Sequence, residues 1–185
     1  MRRIAVAILL TLLLFGSAAA HPRTVLDADD SPGPLDLVAA RFRHSDGEIR
    51  LHARTYEAWS DSTLEGEKSF IAFHFNLDRD KNIERCVVVK LDPPEEEGPT
   101  VVTGGIYKDD CTKQVSDHPG NVFRNQPNGI TLSLARGRIG RGDLRWRALS
   151  SFEEEGHEHC SPPTMGPEPV YGACTDTTRW NRHTT

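Results

Sequence analysis

The sequence predicts an all-β protein, an antiparallel β-sandwich of jelly-roll or immunoglobulin-like type with a loop-rich, disulfide-stapled C-terminal tail. Three observations carry that expectation. Apolar and polar residues alternate with period two through a series of short segments, as half-buried strands require. Gly, Pro, Asn and Asp collect between those segments, where turns need them. No stretch after residue 20 holds a helical apolar pattern for ten residues or more, and six to nine short strands joined by turns imply two packed sheets.

Residues 1–20 stand apart as a signal peptide. Arg2 and Arg3 form a basic n-region, Ile4 to Phe15 is an almost unbroken apolar run, and Gly16-Ser17-Ala18-Ala19-Ala20 offers small residues for cleavage after Ala20. About a dozen apolar residues fall short of the roughly 20 that span a bilayer, so the expectation is a secreted, extracellular protein without a membrane span after cleavage. Residues 21–34 are acidic and proline-bearing, an extended arm. The sandwich domain is expected over residues 35–151.

Its strands follow in order. Leu35 to His44 and Ile49 to Arg54 alternate around the turn Ser45-Asp46-Gly47-Glu48, a β-hairpin signal. In the second of these, Ile49, Leu51 and Ala53 share one face while Arg50, His52 and Arg54 point the other way. Ile71, Phe73, Phe75 and Leu77 repeat the pattern. Cys86-Val87-Val88-Val89 is apolar on both faces, as a covered strand would be. Val101 to Tyr107 is a weaker, glycine-bearing strand, and Asn121 to Arg124 is another, closed by Gln126-Pro127-Asn128-Gly129. Ile130, Leu132 and Leu134 alternate, Gly137 to Gly142 connects, and Leu144, Trp146 and Ala148 end the pattern with Arg145 and Arg147 outward. Residues 152–185 are rich in Pro, Gly, His and Thr and read as an irregular tail.

Beyond the signal, 20 basic and 27 acidic side chains leave a formal charge near −7, which argues against a nucleic-acid partner. About 165 residues fit one domain. Over the whole chain arginine outnumbers lysine 17 to 5, a habit of GC-rich bacterial genomes. The four cysteines, Cys86, Cys111, Cys160 and Cys174, all follow the signal, and an even count in an exported chain reads as disulfides. Proximity in sequence favours Cys86–Cys111 and Cys160–Cys174. Zinc is the competing use, but no C-x-x-C spacing is present.

Two groups of carboxylates could hold a hard cation. In Leu77-Asp78-Arg79-Asp80-Lys81-Asn82, Asp78, Asp80 and Asn82 alternate as the first ligands of a calcium loop do. The sixth position is Ile83 where an EF-hand needs Gly, and the twelfth is Val89 where it needs Glu, so the EF-hand fails. A tight turn is the simpler explanation, since Asp and Asn side chains bond to nearby backbone N–H groups; a looser calcium site through Asp78 and Asp80 is the alternative. The second group is Asp27, Asp29, Asp30 and Asp36 around Ser31-Pro32-Gly33-Pro34, either a solvated arm or a calcium site. Asp176 could approach either group if the tail folds back. His157-Glu158-His159 could bind zinc or copper, or be a surface loop. Trp146 reads as core. Trp59 and Tyr56, where a strand gives way to a loop, could stack on a sugar or cap the core, and Trp180 near the end of the chain is expected to be exposed. No G-x-S-x-G elbow, phosphate loop or dinucleotide fingerprint is present.

An Asp-rich arm followed by Gly33-Pro34-Leu35-Asp36-Leu37 and a hairpin, then Trp59 to Leu64, Asp78-Arg79-Asp80 and Arg145-Trp146-Arg147, resembles exported actinobacterial β-sandwich proteins. These are similar to DOMON domains and family 9 carbohydrate-binding modules, and the likeness spans Asp27 to Leu149. It implies a sandwich that binds sugar and holds structural calcium. Met165, the one methionine beyond the signal, lies in the tail, so no methionine–histidine haem ligation is implied. The expected function is a secreted, non-catalytic binding or structural module for a glycan or cell-wall polymer; the alternatives are an extracellular hydrolase with a dispersed carboxylate or histidine site, and a transition-metal binder through His157-Glu158-His159.

Overall fold

A computed structural model describes residues 23–31, 33–45, 47–64, 69–78, 80, 82–92, 101–140, 142–153 and 173–183. Twelve strands make two antiparallel sheets among these residues. The first sheet contains β1 (Arg23–Leu26), β2 (Leu37–Ser45), β3 (Glu48–Thr55), β8 (Asn121–Gln126) and β9 (Gly129–Ala135), in the order β1-β2-β3-β9-β8. The second contains β4 (Phe70–Asn76), β5 (Arg85–Asp92), β6 (Val101–Lys108), β7 (Lys113–Ser116), β10 (Leu144–Glu153) and β11 (Ala173–Thr177), in the order β11-β10-β4-β5-β6-β7. The last strand, β12 (Asn181–His183), also pairs with β10. No helix among the described residues is long and apolar enough to cross a membrane.

Alternation places the core between the sheets. In β3, Ile49, Leu51 and Ala53 are buried while Arg50 and Arg54 are exposed, and they meet Leu134, Leu132 and Ile130 of β9 in register. Across the interior, Phe73, Phe75, Val87, Val89 and Trp146 belong to the same buried cluster. The Phe42 ring lies 5.8 Å from Trp146 and 6.3 Å from Phe75, linking one sheet to the other. Truncating such a ring to Ala costs about 3–5 kcal/mol. Every residue of β4, central in its sheet, is buried: Ile71, Phe73 and Phe75 face the main core, and Phe70 and Ala72 join a smaller cluster with Val88 and Leu149 on the second face.

The turns are built as their residues dictate. Ser45 pairs with Glu48 across a two-residue loop in which Gly47 has φ +80°, the left-handed conformation that a tight hairpin needs. Cys86 and Cys111 form the expected disulfide, with Cα atoms 5.5 Å apart.

Within the extended acidic arm, Arg23–Leu26 adds a strand to β2. One expectation is corrected. The tail is not irregular throughout: Ala173–Thr177 and Asn181–His183 are strands along β10, and β10 itself runs to Glu153. All these segments are short and weakly patterned, so partners define them where local sequence does not. Cys174 is disulfide-bonded; Cys160, and with it the expected pairing, lies outside the described residues, as do the signal segment, His157, Glu158, His159 and Met165.

Candidate functional site

The chain ends of the sandwich meet at an acidic corner. Asp27 follows β1 directly and its N–H donates to the Val38 carbonyl at 3.1 Å. Asp36 immediately precedes β2, with its N–H on the Gly33 carbonyl at 3.3 Å and its carbonyl accepting from the Tyr56 N–H at 2.9 Å. Asp176 lies in β11 opposite Ser150. It faces inward with Cys174, so its side chain enters the gap between the sheets and accepts the Leu37 N–H at 2.6 Å and the Thr177 N–H at 2.5 Å. The Ser150 hydroxyl crosses the same gap to the Leu35 carbonyl at 2.6 Å.

Gly33 makes the loop geometry available. Its φ is +105°, and a Cβ there would stand 2.9 Å from Cδ1 of Phe152. Only glycine accepts both conditions at low cost. The loop thus carries Asp30 and Asp36 around against β11, and carboxylate oxygens of Asp30, Asp36 and Asp176 lie within 4.8 Å of one another.

These carboxylates are poorly compensated. Asp36 and Asp176 are only 4% and 6% exposed. Asp36 Oδ1 and Asp27 Oδ2 are buried with no hydrogen-bond partner. Burial, then the charge of Asp176, pushes Asp36 up to about 7 and Asp27 up to about 6. Burial also raises Asp176, opposed by its two backbone N–H bonds. The Arg179 charge acts on Asp27 in the opposite sense and is the smallest of these influences on it. Tyr56 borders the corner: it is 40% exposed, and its hydroxyl donates to the Asp27 carbonyl at 2.8 Å.

The second acidic group, between β4 and β5, is arranged differently. Asp78, Asp80 and Glu84 also bring carboxylate oxygens within 4.8 Å of one another. Here the turn uses them. Asp78 Oδ1 accepts the Asp80 N–H at 3.1 Å, Asp80 Oδ1 accepts the Asn82 N–H at 2.6 Å, and Asp80 Oδ2 accepts from the Asn82 amide at 2.6 Å. Asn76 donates from its amide to the carbonyls of Asp80 and Asn82 at 2.7 and 2.9 Å. The backbone N–H of Asp80 holds Asp78 below the usual carboxylate range. Glu84 Oε2 accepts the Leu77 N–H at 2.6 Å, leaving Oε1 as the one buried oxygen of the three residues without a partner. Glu84 was not among the sequence candidates. It is the seventh residue of the loop, and the EF-hand template looks for its acidic closure at the twelfth.

His74, Cys86 and Cys111 also lie close together. The two sulfurs are bonded to each other, so this is not a set of thiolate ligands. His74 is fully buried beside Arg147, and burial lowers it to about 3, leaving the ring neutral.

Of the two uses expected of Trp59, stacking on a sugar or capping the core, the structure shows the core cap. Trp59 is 5% exposed and belongs to the core cluster, and the Arg124 guanidinium stands 3.9 Å from its ring centroid. Arg124 also donates to the Trp59 carbonyl at 2.6 Å and pairs with Asp61. No sugar ring can reach that indole face. Trp146 is fully buried, and Trp180 is 39% exposed with Arg147 4.8 Å from its ring.

Compared with protein families, with curated proteins and with solved structures, the chain shows no match. The likeness to DOMON and family 9 modules therefore rests on its short motifs alone.

Proposed function

We propose that the protein is an exported, non-catalytic β-sandwich module that binds a glycan and whose acidic corner takes a calcium ion. The observation carrying the calcium assignment is the pair Asp36 and Asp176, both more than nine-tenths buried, with Asp36 Oδ1 left without a partner. Buried carboxylates repel one another and lose hydration unless a proton or a cation compensates. The donors are all oxygens, without His or Cys, which suits a hard cation. Five aspartates, Asp27, Asp29, Asp30, Asp36 and Asp176, supply enough oxygens for the six to eight that calcium takes.

The geometry favours this over the hydrolase. A raised carboxyl such as Asp36 is what an acid catalyst uses, but such a group must reach a scissile bond. Asp36 and Asp176 are too enclosed to meet a polymer, whereas Asp29 and Asp30 are exposed to solvent, as the approach of an ion requires.

Thermal unfolding of the oxidised protein with calcium and then with chelator tests the assignment. A ligand of the native state adds about 2.7 kcal/mol at a hundredfold excess over its dissociation constant. A rise in Tm with calcium that vanishes in Asp36→Asn supports it. An unchanged Tm in the wild-type protein discards it.

A further inference from the structure

The outer face of the first sheet has a charge opposite to that of the chain as a whole. Period-two alternation turns Arg41 and Arg43 of β2 and Arg50, His52 and Arg54 of β3 to the side away from the core. Cross-strand register then packs them together, because Arg41 faces His52, Arg43 faces Arg50, and Arg54 faces Ala39. Directly opposed side chains lie about 5 Å apart, and successive ones on a strand about 7 Å. Glu48 at the hairpin end is paired with Arg50 at 3.1 Å. Arg41 donates from Nε to Thr24 Oγ1 at 2.9 Å, which fixes its fork over the sheet. Arg43 and Arg54 have no carboxylate partner among the described residues. Their charges, with that of Arg41 and with burial as the larger cause, hold His52 below its usual range and so keep it neutral.

The same face is grooved and continuous. One groove of about 300 Å³ is lined by Arg41, Arg43, Arg50, His52, Gln126 and Thr131. A neighbouring groove shares Arg41, His52 and Gln126 and adds Arg54, while another continues past Thr131 to Phe123. Phe123 is 47% exposed and aligned with Thr131, His52 and Arg41 in one row across the strands. Three strand spacings from β2 to β8 give this row a length of about 14 Å, and Thr24 of β1, opposite Arg41, extends it to about 19 Å. An open strip of that length fits an extended polymer better than a single small anion.

We propose that this face binds a carboxylate-bearing polysaccharide, its acid groups received by Arg41, Arg43 and Arg54 and its rings lying across Thr131 toward Phe123. The inference rests on the module being a glycan binder and names the class of glycan. Arginine forks match carboxylates in two-point hydrogen bonds, and an exposed ring supplies an apolar platform for a sugar. The rest of the chain selects against denser polyanions. Nucleic-acid binders carry a basic domain, whereas this chain has a pI near 5.9 and a single exposed aromatic on the face.

The test is equilibrium binding of short oligogalacturonates to the oxidised protein, in chelator and below its melting temperature. Oligogalacturonate fully methyl-esterified at its carboxyls and single-stranded oligothymidylate are the comparison probes. Oligogalacturonate should bind, at least tenfold tighter than its ester. Affinity should fall with salt, and Arg43→Gln with Arg54→Gln should lower it tenfold or more without moving Tm, while Arg54→Lys retains part of it. No binding, equal binding of the ester, an unaffected double variant, or tighter binding of oligothymidylate would overturn the proposal. A calcium-dependent rise in Tm with no oligogalacturonate binding would discard this face and keep the cation site.

Discussion

Two corners of this sandwich each gather three carboxylates within 4.8 Å, and they are put together by opposite means. At the Asp78–Asp80–Glu84 corner, Asp78 and Asp80 are exposed and spend their oxygens on turn N–H groups and on the Asn82 amide. The neighbouring loop is tied to it covalently. Asp109, Asp110 and Cys111 take φ values of 52°, 55° and 66°, a run that costs of order 1 kcal/mol per residue. Cys111 bonds to Cys86, and Asp110 exchanges hydrogen bonds with Ile83 at 2.8 and 2.9 Å. At the Asp30–Asp36–Asp176 corner, two of the three carboxylates are buried and come from segments 139 or more residues apart in the chain. Proximity of acids is common to both corners; the burial of two whole carboxylates, Asp36 and Asp176, is what sets this one apart.

The largest expected effect separates the two modes of closure. Cys86→Ser with Cys111→Ser opens a 25-residue loop and should remove about 3.5 kcal/mol. At roughly 2–4 °C per kcal/mol, Tm should fall by about 10 °C. Differential scanning calorimetry should show the same fall in calcium and in chelator; a loss seen in only one of them would couple the corners and break the contrast.

Calcium at a hundredfold excess comes next, with a rise of about 5–10 °C. Asp36→Asn should abolish that rise while leaving the protein in chelator as stable as the wild type or more so, since Asp36 Oδ1 loses no hydrogen bond. Asp78→Asn and Asp80→Asn should keep the full rise. If they remove it instead, the cation belongs to the turn.

Proton linkage sharpens the same point. Asp36 at about 7 and Asp27 at about 6 hold protons more tightly folded than unfolded. Their contribution is complete below the unfolded carboxylate range and is lost as pH rises through the folded values. In chelator, this contribution should make stability fall between about pH 4 and 7, and Asp36→Asn should flatten the slope in urea titrations. With calcium the trend should reverse, because the ion binds the deprotonated acids. His74 works in the other direction: lowered to about 3, it contributes fully above pH 6.5 and less as pH falls toward 3.

The smallest effects belong to single bonds at each corner. Tyr56→Phe removes one exposed hydrogen bond, to the Asp27 carbonyl, and should cost no more than about 1 kcal/mol. Asp80→Ala should cost about 1 kcal/mol through its turn bonds, independent of calcium.

Much of the fold was legible because strands write their burial into alternation. Ile49, Leu51 and Ala53, or Leu144, Trp146 and Ala148, point inward for the reason the pattern suggests. Lys113–Ser116 has an almost wholly exposed surface and no apolar face to show, so it was invisible. The same alternation already turned Arg50, His52 and Arg54 outward, but one strand at a time it could not reveal that Arg41 and Arg43 stand beside them. That needs register between strands.

Residue order alone therefore determined the sandwich class, the core-facing side of its central strands, the Cys86–Cys111 pair and the Asp78–Asn82 turn, because these depend on neighbours a few to a few tens of positions away. Tertiary structure decided the rest. It buried Trp59 under Arg124, brought β11 back so that Asp176 reaches Leu37, and aligned five strands into a basic face on an acidic chain. Each is a contact between distant segments, and its energy depends on what the two sides exclude from water once they meet.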